Sequence, residues 1–170
     1  MKLHFRRHST MRSQRAGALA EFGPVMFIFF VVILLPLMGL FTFVEGVTTI
    51  AFATNIAARN CGTATTRSGA IANMNATADQ IIGGPFGRFA GLTPADHTGM
   101  QLVVLQVPVT SGAKQEFVGS SPVPTIDTAN NFYEYQVRST YGVKPLFVPK
   151  TIDMKWMSAS HVEHPNGLNN

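Results

Sequence analysis

Cysteine is nearly absent from this chain. Cys61 stands alone among 170 residues, so no disulfide can close within one copy. That leaves a buried, inert thiol on a helix or a bridge between two copies. Charge is also scarce, at 13% of residues, and none falls between Phe22 and Val44. The familiar catalytic patterns are missing too: there is no Gly-rich phosphate loop, no G-x-S-x-G elbow and no H-E-x-x-H. With so few charged residues and no polar constellation, an enzyme is not expected, and neither is a cofactor.

What is present is one long apolar run. Phe22 to Val44 gives 23 residues without Lys, Arg, His, Asp or Glu, bordered by Glu21 and Glu45. As a helix at about 1.5 Å per residue it would reach roughly 34 Å, enough for a hydrocarbon layer of about 30 Å. Lipid offers the backbone no partners, so such a run has to be helical. Pro24 falls in the first turn, where a missing N–H matters little, whereas Pro36 lies mid-helix and predicts a kink. Pro36 and Gly39 together would allow close approach between neighbouring helices. The run is too long for a secretory signal, and its end, Phe41-Thr42-Phe43-Val44-Glu45, does not resemble a small-residue cleavage site.

The net charge of +4 could suggest nucleic acid, but its distribution argues against that partner. Lys2, Arg6, Arg7, Arg12 and Arg15 lie in residues 1–16 with no acid, and the rest of the chain holds 8 basic and 9 acidic residues. A basic head before an apolar helix predicts that the head stays in the cytoplasm and that residues 46–170 are exported.

Beyond the membrane run, Val47, Ile50, Ala53, Ala57, Cys61, Ala64, Ile71, Met74, Ala78 and Ile82 recur at helical spacing. This predicts an amphipathic extension over 46–83, weakened at Gly62 and Gly69 and ended by Gly83-Gly84-Pro85. Residues 84–100 read as loop, with a short helical turn starting at Thr93-Pro94-Ala95-Asp96. Strands are expected at Leu102–Val109, with Pro108 at an edge or an end, and at Gln115–Val118. Two more are expected at Phe132–Val143 and Ile152–Val162, both of which alternate. Tyr133, Tyr135, Tyr141 and Trp156 form an aromatic stripe, read as a core face against the helix or a surface for a sister subunit. The fold class is thus α+β: a long N-terminal helix followed by a small antiparallel β domain over 84–163. The tail 164–170 is expected to fray.

Isolated features carry little chemistry. His161 and His164 would point to opposite faces of a strand, and no Cys or acidic cluster completes a metal set. Asn75-Ala76-Thr77 matches a glycosylation sequon in a helical setting. Asp96 beside His97 reads as a chance neighbour.

A basic leader, the junction Ala16-Gly17-Ala18-Leu19-Ala20 and Glu21-Phe22 opening a long apolar helix resemble the type IV prepilins. The form closest to this one is the TadE-like pseudopilin family of tight-adherence (Flp-type) pilus systems. Tyr135 to Tyr141, Val143-Lys-Pro-Leu-Phe147 and Ser-Ala-Ser160 are similar to the family's closing segments, a strand, a Pro-Leu turn and a last strand rich in Ser and Ala. The resemblance implies a pilin-like fold and cutting by a prepilin peptidase on the cytoplasmic side, leaving the glutamate fifth in the mature chain. Counting back from Glu21 puts that cut between Ala16 and Gly17, although the family usually ends its leader with Gly. It also implies that Glu21 pairs with a neighbouring subunit's new amine, here that of Gly17; the plainer alternative is that Glu21 caps the helix. The implied function is a minor pseudopilin that helps assemble the pilus at the bacterial cell membrane. Its implied partners are lipid, the peptidase, a TadF-like pseudopilin, Flp pilin and the secretion platform. The alternative is a signal-anchored envelope protein that binds something outside.

Overall fold

The computed structural model describes residues 22–95, 99–119, 121–124 and 126–169. Helix α1 runs Phe22–Gly62, 41 residues, interrupted by a π-helical stretch at Phe29–Leu34. The interruption lies just before Pro36. That residue has no N–H for the carbonyl of Val32, and its ring crowds the same carbonyl. The helix widens instead, and the Leu35 N–H donates to the Phe30 carbonyl, five residues back. At the place where a kink is expected from Pro36, the helix carries a π turn.

From Gly39 onward α1 presents a narrow buried stripe made largely of small residues, among them Gly39, Thr42, Gly46, Ala53, Ala57 and Gly62. Small side chains bring the sheet close. A Cβ on Gly46 would lie 2.6 Å from Val143 Cγ1, and one on Gly62 would lie 2.5 Å from Ser160 Oγ.

The weakness read at Gly62 is where the extension breaks, and it does not continue outward as one rod. α1 stops at Gly62, and a second helix, α2 (Arg67–Ile81), turns back along it. Thr66 caps α2 by accepting the Gly69 N–H at 3.1 Å, so Gly69 helps start a helix and does not break one. The two helices are joined by the Cys61 thiol donating to the Ala70 carbonyl (3.2 Å) and by Asn60 Nδ2 donating to Thr77 Oγ1 (3.1 Å). A one-and-a-half-turn helix, α3 (Pro85–Phe89), occupies part of the stretch read as loop. It brings Phe89 edge-on to Phe41 of α1, with ring centroids 6.4 Å apart.

The sheet contains β1 (Thr93–Pro94), β2 (Met100–Pro108), β3 (Gln115–Val118), β4 (Asn131–Val143) and β5 (Ile152–His161). All pairings are antiparallel, in the order β5-β4-β2-β3, with β1 continuing the β2 side of β4. Thr93-Pro94 is therefore a two-residue strand against Tyr141 and Gly142, not a helical turn. Along β4 the odd-numbered residues Tyr133 to Val143 are buried against the helices, as alternation predicts. Trp156 departs from the expected core stripe and is 42% exposed. It is registered with buried Ser139, but β5 is an edge strand that the helices only partly cover.

The C-terminal segment does not fray. Pro165–Gly167 forms a 3₁₀ turn, and Leu168 is 0% exposed. Asn169 Oδ1 accepts the Val123 N–H and its Nδ2 donates to the Val123 carbonyl, both at 3.0 Å. Gly167 lies against the Thr65 carbonyl, where a side chain would not fit. The tail closes the core beneath the α1–α2 turn.

Candidate functional site

From Phe22 to Met38 no residue of α1 is buried, and Gly39 is the first that is. The bare half is apolar throughout; Phe27, for example, is 68% exposed. A core helix of a water-soluble domain would be mostly covered by its own chain, and this one is not. It is one helix long and apolar enough to cross a membrane.

Phe22 opens the described part of this helix and is exposed. Ala16, Gly17 and Glu21, the residues tied to leader removal and subunit assembly, lie outside the described residues, as do Asp96 and His97. Glu45, the acid at the other border, is half-buried one turn beyond Phe41.

At Gly39 the domain meets the helix through the loop between β4 and β5, residues 144–151. Thr42 Oγ1 accepts the Leu146 N–H at 3.0 Å and donates to the Gly39 carbonyl at 2.9 Å. Gly39 is required here because a Cβ would lie 2.8 Å from the Leu146 carbonyl oxygen. The close approach expected of Gly39 toward another helix is made instead to the chain's own loop. Phe147 at the loop's tip takes φ 65°, a left-handed conformation uncommon for a bulky residue, and is 63% exposed. Between loop and helix runs an apolar groove of about 550 Å³, lined by Val31, Leu35, Pro36, Phe43, Leu146 and Phe147 among others. Sequence reasoning took this loop only as a turn. Its signal was the pattern Lys144-Pro-Leu-Phe-Val-Pro-Lys150, an apolar tip bracketed by two cations.

Elsewhere the polar chemistry is structural. Arg67 is buried and donates to the carbonyls of Ser121 (2.5 Å) and Phe117 (3.2 Å). Burial lowers its pKa, and the neighbouring Tyr135 partly offsets this. Burial pushes the Tyr135 phenol up to about 12. Glu116 and Arg138 form an exposed ion pair at 2.6 Å, and the hydrogen bond from Arg138 holds the Glu116 carboxyl below its ordinary range. Among the described residues no three His, Cys, Asp or Glu side chains gather as a metal site would require. His161 ends β5 and His164 precedes the 3₁₀ turn, both exposed. Thr77 of the sequon is buried within α2.

No family model matches the chain, and neither the search of curated proteins nor that of solved structures finds a match.

Proposed function

We propose that this chain is a non-catalytic, single-pass minor pseudopilin of the TadE-like kind that takes part in assembling a tight-adherence pilus. Its leader faces the cytoplasm, α1 crosses the bacterial inner membrane, and the α+β domain lies on the outer side. The observation that carries this reading is the division of α1. Its first half is bare and apolar, and its second half is sheathed by its own sheet and α2. A bare apolar helix can associate side by side with other membrane helices, the working interface of a pilin-like subunit. The basic leader and the Glu21-Phe22 junction add the processing site: a prepilin peptidase would cut between Ala16 and Gly17. Glu21 would then meet a neighbour's amine at the membrane edge, where an unpaired carboxylate is unfavourable.

The test is N-terminal sequencing of the chain purified from membranes, together with co-purification of Flp-type pilin, a TadF-like subunit and the secretion platform. The mature chain is expected to begin at Gly17, and Glu21→Gln is expected to weaken those complexes while leaving membrane insertion intact. A membrane form that retains residues 1–16 and binds no pilus protein would overturn the reading. A second reading, a signal-anchored envelope binding protein, draws on a cleft of about 510 Å³ lined by Gln101, Arg138, Lys155, Trp156 and Met157. A ligand for that domain, with no pilus partner, would favour it.

A further inference from the structure

We infer that the loop between β4 and β5 is a membrane wedge: Leu146, Phe147 and Val148 enter the outer leaflet of the bilayer that α1 crosses, while Lys144 and Lys150 sit among its acidic headgroups. The inference rests on α1 spanning that bilayer, and its depth follows from helix geometry. About 20 residues cross a hydrocarbon layer of about 30 Å, so a helix entering at Phe22 leaves near Phe41. The loop touches the helix at Gly39 and Thr42, at that same level. Its three apolar tip residues are exposed, and Phe147 is the most exposed of them. The hairpin pairing of Val143 with Ile152 places Lys144 and Lys150 at the two sides of the loop's neck.

A second cluster lies alongside, where Gly91 just past α3 packs against Lys144 at the loop's neck. Phe86 and Phe89 of α3 are exposed, with Arg88 between them, and Phe89 rests on Phe41. Apolar side chains flanked by cations, gathered near one level of one helix, complement an anionic bilayer surface with a greasy interior. In water the same residues would form an unfavourable exposed patch. The groove behind the loop has apolar walls reaching back to Val31, and lies where an acyl chain of the outer leaflet would fill it.

The experiment uses the full chain in lipid vesicles, with and without an anionic lipid. Single cysteines replace Phe147, Val32 or Ser111 and carry an environment-sensitive fluorophore; native Cys61 is buried and stays unlabelled. The probe at 147 is expected to be quenched by nitroxide on the upper acyl chain and shielded from aqueous iodide. Val32 should behave likewise with deeper nitroxides, and Ser111 should respond only to iodide. In anionic vesicles, Lys144→Ala with Lys150→Ala should lower the ratio of inserted to lifted loop by roughly 25-fold. A probe at 147 open to iodide while Val32 is quenched by lipid overturns the wedge and leaves the membrane helix standing. Iodide access at Val32 as well overturns the membrane reading itself. An inserted loop that ignores loss of both lysines overturns the headgroup contact.

Discussion

Thr54 and Ser139, 85 residues apart in sequence, meet hydroxyl to hydroxyl at 2.7 Å in the buried seam between α1 and β4. Thr54 donates to the Ile50 carbonyl at 2.7 Å, so Ser139 supplies the proton of the shared bond, and the Trp156 carbonyl at 3.3 Å is the competing acceptor for that proton. Removing one partner takes the shared bond from the other and leaves it only a backbone carbonyl. Thr54→Val alone is expected to destabilise the domain by about 1–2 kcal/mol, and Ser139→Ala by a similar amount. The double variant should lose less than the sum, because the shared bond is lost only once, with a coupling of about 1 kcal/mol. Urea unfolding of the full chain in mild detergent measures all four corners of the cycle. Strict additivity would show that the two hydroxyls do not act as a pair.

The tail gives a second test, since Leu168 is fully buried and Asn169 brackets Val123. Leu168→Ala is expected to destabilise the domain by about 2–5 kcal/mol, the range for emptying a core leucine site. Asn169→Ala should lose about 1–2 kcal/mol through the two bonds to the 123 backbone. Protease digestion in detergent reads both: the wild-type tail resists cleavage, and Leu168→Ala opens it. A tail cut as quickly in the wild type as in the variant would return it to the frayed state its composition suggests.

These cases mark how far the sequence was legible. β4 could be read residue by residue, because alternation reports directly on a strand with one face buried. The apolar run and the stripe through Ile50, Ala53, Ala57 and Cys61 were equally plain, being periodic over several turns. Reversal after Gly62 was not read, although Thr66 ahead of a helical run is a cap signal that could have shown it. Docking of Leu168 has no local signal: Pro-Asn-Gly-Leu looks like any loose end, and only the space beneath the α1–α2 turn makes it core. Trp156 had the right alternation, but whether an edge strand is covered depends on how far the helices reach. Glu21, the residue on which subunit assembly would turn, lies outside the described residues, so its role rests on the sequence pattern alone.

Tyr135 supplies a pH signature. Burial raises its folded pKa from 10.0 to about 12; the charge on Arg67 acts in the opposite direction and does not cancel it. The folded state therefore holds the phenol proton more tightly than the unfolded state. Stability from this group is fully present below pH 10 and is lost as the pH climbs toward 12, with a slope of up to about 1.4 kcal/mol per pH unit. Tyr141 is shifted the same way, by burial first and by Asp79 second, and steepens the fall. Tyr135→Phe should remove about one proton's worth of that slope while leaving Tyr141's share. Denaturant midpoints measured from pH 8 to 12 check it; an unchanged slope in the variant would mean that Tyr135 titrates in the folded domain as it does in the unfolded chain.

Pro36 sets the aim of the bare half of α1. With its missing N–H restored, the helix has no reason to keep the π turn at Phe29–Leu34, and Pro36→Ala should let it relax to a regular α-helix. Removing such a bulge is equivalent to shifting the register by one residue, about 100° around the axis. Residues 22–28 would then present a different face relative to the sheet and to the loop at 147. Spin labels placed singly at 25, 27 and 28 against a label at 147 should show their pattern of distances move by one position in the variant, while helical content stays the same or rises. If lateral contacts between bare helices assemble this chain with its partners, the rotated helix should insert normally and still lose those contacts. Insertion with an unmoved distance pattern would show that packing around the helix, and not the proline, holds the π turn.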